Sequence, residues 1–175
     1  MLIRTETKND FKQVFNLNFS AFENRDDEAK LVESIRFSDG FIPELSLVAE
    51  EQGEIVGHVL FSKAKIIRED AETEVLVLAP IAVNPTVQQR GIGSNLIEEG
   101  LKRATNLGHG LVLLIGHPNY YPKFGFQPAR QYGIELTQFK VPDDVFMVCE
   151  LIEGELQQRN GELRYPSPFL KKKLV

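Results

Sequence analysis

"VLVLAPIAVNPTVQQRGIGSNLIEEG", residues 75–100, is the stretch from which the rest of the chain is read. Gly91 and Gly93 stand immediately before a run with helical periodicity. Glycine is costly inside regular structure and is used where φ is unusual or where something packs against the main chain. From Ile92 the apolar residues continue as Leu96, Ile97, Leu101 and Ala104, with Glu98, Glu99, Lys102 and Arg103 on the opposite side. That is an amphipathic helix. The glycines therefore sit at a helix N-terminus, where unpaired N–H groups and the macrodipole favour an anion. The same residues also fit an ordinary loop-to-helix entry with Ser94 serving the cap.

Three phosphate-binding patterns compete for the glycines. A P-loop needs a lysine after its last glycine, and this loop has none. A dinucleotide fingerprint needs a third glycine where Leu96 stands, on the apolar face of the helix. The remaining pattern, Gln-x-x-Gly-x-Gly, is met by Gln88, Gly91 and Gly93. Its backbone N–H groups would curl around a pyrophosphate. The strand before it is apolar enough to be central, yet Pro80 cannot donate to a ladder. Either Pro80 marks an edge, or neighbouring strands part there and leave backbone groups around Ile81 and Val83 free to pair with an amide-bearing ligand.

The 175 residues suffice for one sizeable core, and 42% hydrophobic with 26% charged residues is ordinary for a soluble globular protein. A net charge of −5 argues against a general nucleic-acid binder. Cys149 is the only cysteine, which rules out an intrachain disulfide and a cysteine-rich metal site; it is expected as a buried strand residue in "VFMVCEL". No apolar run reaches membrane-spanning length, so a soluble, cytoplasmic protein without membrane or nucleic-acid partners is expected.

Coarsely, "LIRTE" reads as a strand, and Phe11, Val14, Phe15, Phe19 and Phe22 recur at helical spacing behind Asn9 or Asp10 as cap. A second helix is expected across "DDEAKLVESIRFS". "LSLVAEE" and "EIVGHVLFSKAKI" form strands joined by a hairpin turn at Gln52-Gly53. A strand from about Val75 to Val83, the glycine-led helix and the strand "GLVLLIG" follow, then strands around "GIELTQF" and "DVFMVCELI". The order βααβββαβ with further β is an α/β (α+β) chain around a mixed sheet.

"LAPIAVNPTVQQRGIGSNLI" followed by "YYPKFGF" resembles the GNAT superfamily of acyl-CoA-dependent N-acetyltransferases. The first stretch matches the family's coenzyme A motif, and Tyr121 with Gly125-Phe126 matches its Tyr-x-x-x-Gly-Phe signature. The resemblance runs from about Leu2 to Leu151. It implies one N-acetyltransferase domain over residues 1–175, with 153–175 a C-terminal segment packing on it. It also implies a mostly antiparallel central sheet flanked by helices and splayed at the coenzyme A site. Acetyl-CoA is the implied cosubstrate, with no metal. Pantetheine would pair with backbone along Ile81, Ala82 and Val83. The pyrophosphate would sit on the loop of Gln88, Gln89, Arg90, Gly91, Ile92, Gly93 and Ser94. Arg90 would add charge there or be a solvated surface arginine. Tyr121 would be the general acid for the departing thiolate, although Tyr120 and Phe124 beside it also fit an aromatic cluster packing the sheet edge.

The implied reaction is direct attack by a primary amine, of a small molecule or of a protein, in a ternary complex. A homodimer is among the assemblies to expect. The rival from another class is a non-catalytic acyl-CoA-binding regulatory module. The sequence departs from the family pattern where "HPNY" leaves little room for a helix before Tyr121, so Asn119 has no assigned role. Val77 stands where some relatives carry a glutamate. His58 is able to relay a proton but reads better as a structural histidine on a half-buried strand. Glu23, Asp26, Asp27 and Glu28 read as a solvated helix start rather than a cation site. Tyr165 and Phe169, beside prolines, read as packing back on the domain, and Lys171–Lys173 as an exposed terminus.

Overall fold

A computed structural model describes residues 1–170. Its elements, in order, are β1 (Leu2–Thr5), α1 (Phe11–Ala21), α2 (Asp27–Arg36), β2 (Ser46–Glu51), β3 (Glu54–Arg68), β4 (Ala71–Val83) and α3 (Ile92–Asn106). These are followed by β5 (Leu111–Ile115), β6 (Phe126–Pro128), β7 (Ile134–Glu135), β8 (Phe146–Glu150), α4 (Glu155–Gln158), β9 (Gly161–Arg164) and α5 (Ser167–Leu170). The expected order βααβββαβ with further strands is present. The chain is a mixed α/β fold whose strand pairings are mostly antiparallel, the parallel ones being β4 with β5 and β7 with β9. The described residues form two compact units, Met1–Ser62 with Ala79–Arg103, and Lys63–Leu78 with residues 104–170. Strands β3 and β4 run through both.

In the first unit β1, β2 and β3 pair antiparallel, Leu2 opposite Glu50 and Ser46 opposite Leu60. Gln52 and Gly53, at φ 51° and 78°, turn the β2–β3 hairpin with the two successive positive φ values of a type I′ turn. Alternation along β3 divides its side chains between two layers. A Cβ at Gly57 would lie 2.8 Å from Ile92 and 2.9 Å from Leu96, and one at Gly100 would collide with the ring of Phe61. These absent side chains let α3 lie directly on one face of β3. Ile92, Leu96, Ile97 and Ala104 are buried as their periodicity predicts, and Leu101 is half-buried. His58 points to the opposite face, where Asn18 of α1 lies 3.5 Å from its Nδ1.

The buried stripe of α1 is Val14, Leu17 and Asn18, whereas Phe15 is half-buried and Phe19 is exposed. The aromatic spacing therefore identifies the helix but misplaces its inner face. Asp10 precedes α1 as expected of a cap, but its carboxylate is held by Arg4 at 2.7 Å and by the Thr7 N–H at 2.7 Å. Glu28 is 3% exposed, so the acidic start of α2 is not wholly solvated.

In the second unit β5 pairs antiparallel with β8, Leu111 opposite Glu150 through Ile115 opposite Phe146, and β6 adds to the far side of β8. Cys149 is buried on β8 as expected. The end of β3 pairs with β9, a strand that the sequence reading did not anticipate. Tyr165 and Phe169 are buried, with Tyr165 against Phe139 at 5.4 Å and against Phe169 at 5.0 Å between ring centroids. Lys171–Lys173 lie outside the described residues. Among the described residues no helix is long and apolar enough to cross a membrane.

Candidate active site

The glycine loop belongs to the first unit and is folded back on the strand that precedes it. β4 passes through a cis Ala79–Pro80 bond to half-buried Ile81, buried Ala82 and half-buried Val83. The parallel ladder of β4 with β5 consists of Leu76 opposite Val112 and Val77 opposite Leu113, both before Pro80. Beyond Val83, the Asn84 N–H donates to the Val56 carbonyl at 2.8 Å. The Asn84 side-chain oxygen accepts from the Thr86 N–H at 3.0 Å and from its hydroxyl at 2.9 Å, which closes a 3-10 turn over Pro85–Val87. Gln88 then reaches back to donate to the Val83 carbonyl at 3.3 Å.

From there the backbone takes the positive φ values of Gln89 (67°) and Gly91 (83°) and enters α3, whose first turn is closed by the Asn95 N–H on the Gly91 carbonyl at 3.0 Å. Apart from its chain neighbours, no residue comes within 4 Å of the position a Gly91 Cβ would take. The entry to a 15-residue helix is thus bordered by bare main chain facing open space. That environment suits an anion, because first-turn N–H groups lack intrahelical acceptors and the dipole adds partial positive charge. Gln88, Gln89, Arg90 and Gly91 are exposed, Ile92 is buried, and Gly93 and Ser94 are half-buried. The Arg90 guanidinium lies 3.2 Å from the Glu51 carboxylate. An exposed pair of this kind contributes about 0–1 kcal/mol and leaves the guanidinium free to exchange partners.

Tyr121 belongs to the second unit. β5 ends at Ile115, and the Gly116 N–H donates to the Val145 carbonyl at 2.9 Å. The His117 Nδ1 accepts the Asn119 N–H at 3.2 Å, and the Tyr120 N–H bonds the His117 carbonyl at 3.2 Å. This turn stands where Pro118 opposes a helix. Tyr121–Phe124 follow as a 3-10 segment with Pro122 in its first turn, ended by Gly125 at φ 97°. The Tyr121 ring is 9% exposed and meets Tyr120 (5.1 Å, 83°) and Phe126 (5.8 Å, 73°) edge-on. Burial, with a smaller effect of Tyr120, pushes its phenol up to about 12. The aromatic cluster is therefore real. The spacing of "LIGHPNYY" marks the turn but not the support that Gly116 gives the ring.

His58 is wholly buried in the first unit, with Nε2 3.1 Å from the Ser46 hydroxyl. Burial, with Arg36 adding to it, lowers its imidazole to about 3. It is thus a neutral structural residue. Val77 is buried. Among the described residues no group of three or more His, Cys, Asp or Glu is arranged to hold a metal ion.

A mixed sheet whose fourth strand leads through an exposed glycine loop into α3 presents main-chain N–H groups suited to an anion such as a phosphate. The family model described as "Acetyltransferase (GNAT) domain" matches residues 2–129. The chain is 36% identical over 144 residues to the uncharacterized N-acetyltransferase YjhQ of Escherichia coli K12, covering 81% of this chain and 79% of that protein. It is 32% identical over 170 residues to the uncharacterized N-acetyltransferase YhbS of the same strain, covering 97% and 98%. The crystal structure of E. coli YhbS in complex with CoA superposes with a TM-score of 0.88 over 96% of this chain and 91% of that one, at 28% identity. A GNAT acetyltransferase from Brucella melitensis in complex with acetyl-CoA gives 0.77 over 96% and 97%, also at 28% identity. The chain belongs to the GNAT acetyltransferase family, whose members are acyl-CoA-dependent acyltransferases.

Proposed function

We propose that the protein transfers an acetyl group from acetyl-CoA to a primary amine by direct attack within a ternary complex. The observation that carries this reading is the loop from Gln88 to Ser94: bare main chain at Gly91, facing open space, at the N-terminus of α3. Two of its structural relatives are crystallised with CoA and acetyl-CoA, which supports the same ligand here. On this reading the main-chain N–H groups between Gln89 and Ser94 receive the pyrophosphate, and Arg90 exchanges Glu51 for a phosphate oxygen. Backbone at Ile81, Ala82 and Val83 pairs with the pantetheine amides. Gln88 acts indirectly, tying the loop to Val83.

The amine nitrogen attacks the thioester carbonyl carbon, a C–N bond forms, the C–S bond breaks, and one amine proton passes to solvent. The developing oxyanion is stabilised by main-chain N–H on β4. Tyr121, assigned from the Tyr-x-x-x-Gly-Phe motif, donates a hydrogen bond to the departing sulfur, which leaves as a thiolate and takes its proton from solvent. A phenol near 12 is a weaker acid than a thiol near 8.5, so full transfer is uphill by roughly 5 kcal/mol. Its contribution is a hydrogen bond that strengthens as charge builds on sulfur. An amine that is neutral near pH 7 needs no base in the protein, whereas a lysine near 10.4 does.

The deciding experiment measures CoA release from acetyl-CoA across a panel of primary amines: spermidine, tryptamine, free lysine and a peptide with a free N-terminus. Amine-dependent release with a matching acetylated product supports the transferase reading. Tight acetyl-CoA binding with no release on any amine supports the regulatory-module reading instead.

A further inference from the structure

Glycine at position 116 is not demanded by its own backbone, since Gly116 lacks the positive φ of Gly91 and Gly125. What requires the missing side chain is the ring of Tyr121. A Cβ on Gly116 would collide with Cε2 of Tyr121, lie 2.9 Å from its Cδ2 and lie 3.2 Å from Cδ1 of Leu114. Carbon atoms settle about 3.5–4.0 Å apart, so one of these partners would have to yield by close to an ångström. The main chain cannot yield easily. The Gly116 N–H is bonded to the Val145 carbonyl, and the five residues of β5 before it are all paired with β8. The ring cannot slide freely either, because Tyr120 and Phe126 meet it edge-on.

We propose that Gly116 is the positioning residue of Tyr121, the bare stretch of main chain against which the ring is clamped so that its hydroxyl points in one direction. The proposal rests on Tyr121 acting as the donor to sulfur. It also explains why a residue at the end of a buried strand, with an unexceptional backbone conformation, is glycine. A misplacement of about 1 Å in a catalytic group is enough to cost on the order of 100-fold in rate.

The test compares four proteins, wild type, Gly116→Ala, Tyr121→Phe and the double variant. The readout is CoA release with whichever amine in the panel above reacts fastest, resolved into kcat and KM. Gly116→Ala should lower kcat at least about tenfold and leave KM for acetyl-CoA within about twofold. Tyr121→Phe keeps the ring but has no hydroxyl left to misplace. Adding Gly116→Ala to it should therefore change kcat by less than about twofold. Unchanged kcat in Gly116→Ala, or an equal loss in both backgrounds, overturns the positioning role while leaving Tyr121 as donor. Unchanged kcat in Tyr121→Phe overturns the donor reading, and this proposal with it. If Gly116→Ala does not fold, Tyr121→Leu is added to remove the ring: recovered folding supports the clamp, and continued failure overturns it.

Discussion

The imidazole of His58 and the hydroxyl of Ser46 lie 3.1 Å apart, and their contact sits in the middle of a buried polar chain. The Asn18 side-chain amide donates to the Val14 carbonyl at 3.0 Å and lies 3.5 Å from Nδ1 of His58. With Nδ1 facing a donor, the proton belongs on Nε2, which donates to the Ser46 oxygen. The Ser46 hydroxyl in turn donates to Glu6 at 3.1 Å, and Glu6 is paired with Arg36 at 2.6 Å. The chain holds β1, β2 and β3 to α1 and α2 within the first unit. Protonating His58 would convert its Nδ1 acceptor into a donor aimed at the Asn18 amide.

Stability should therefore fall with acid well before the carboxylates titrate. The ordinary imidazole value is 6.5, and the folded value is about 3. Because the folded value is the lower one, the unfolded chain binds the extra proton. The stabilisation is fully present above pH 6.5 and is lost as pH falls from 6.5 toward 3. The slope is at most about 1.4 kcal/mol per pH unit. Urea midpoints of wild type should drop between pH 7 and pH 5, and those of His58→Gln should be lower at pH 7 but flatter. Parallel pH profiles for the two proteins would show that His58 is not the titrating group.

Replacing Tyr121 by phenylalanine tests the donor. A hydrogen bond to a charged group contributes about 1.5–3 kcal/mol. The expected loss is thus roughly 10- to 150-fold in kcat, with little change in KM, because the bond strengthens only as sulfur gains charge. Burial keeps the phenol protonated up to about 12, so Tyr121 imposes no falling limb between pH 7 and 10. Across that range the rate on a lysine-like amine should rise with pH as the amine loses its proton. Equal kcat in the two proteins would return Tyr121 to the role of a packing residue.

Gly100 separates helix propensity from packing. Alanine in a helix interior gains about 1 kcal/mol over glycine. At Gly100, however, a Cβ would collide with Cε1 of Phe61 and lie 2.5 Å from its Cζ, and Phe61 is fully buried. Overpacking costs about 1–3 kcal/mol, so Gly100→Ala should lower the melting temperature despite its better propensity. Adding Phe61→Leu, which vacates that space, should recover part of the loss. A Gly100→Ala variant more stable than wild type would contradict this view of how α3 seats on β3.

What was legible in the sequence was local. The face of α3, its first residue and the Gln52-Gly53 turn follow from periodicity and from glycine's freedom at positive φ. The last two residues of β3, Ile67 and Arg68, and the first four of β4, Ala71–Glu74, did not follow, because this end of the hairpin carries exposed cross-strand pairs, Lys63 with Glu74 and Lys65 with Glu72. Apolar alternation gives no sign of these. β9 was illegible for a similar reason, as "GELR" buries only Leu163 and gains its place by pairing with β3. Within the site, the glycine loop could be read because its geometry is encoded in adjacent residues. The partners of His58 could not, since Ser46 and Glu6 are 40 residues apart and meet only when β1 and β2 pair. Nothing in the residues around Gly116 marks the packing of the Tyr121 ring against it, because that contact forms only when the turn after β5 folds back.

The central claim, that the loop at the start of α3 receives the pyrophosphate of acetyl-CoA, is tested most directly by calorimetric titration of acetyl-CoA into wild type and Gly91→Asp. Aspartate tolerates the left-handed conformation at φ 83°, and no protein atom blocks its side chain, so the fold should survive. Its carboxylate would face the bound phosphates. The account predicts binding at least about tenfold weaker, a cost of about 1.4 kcal/mol or more, with the fold retained and the melting temperature of the free protein lowered by only about 2–4 °C, as a non-glycine residue at this φ costs about 1 kcal/mol. Equal affinity in a folded Gly91→Asp variant would contradict it.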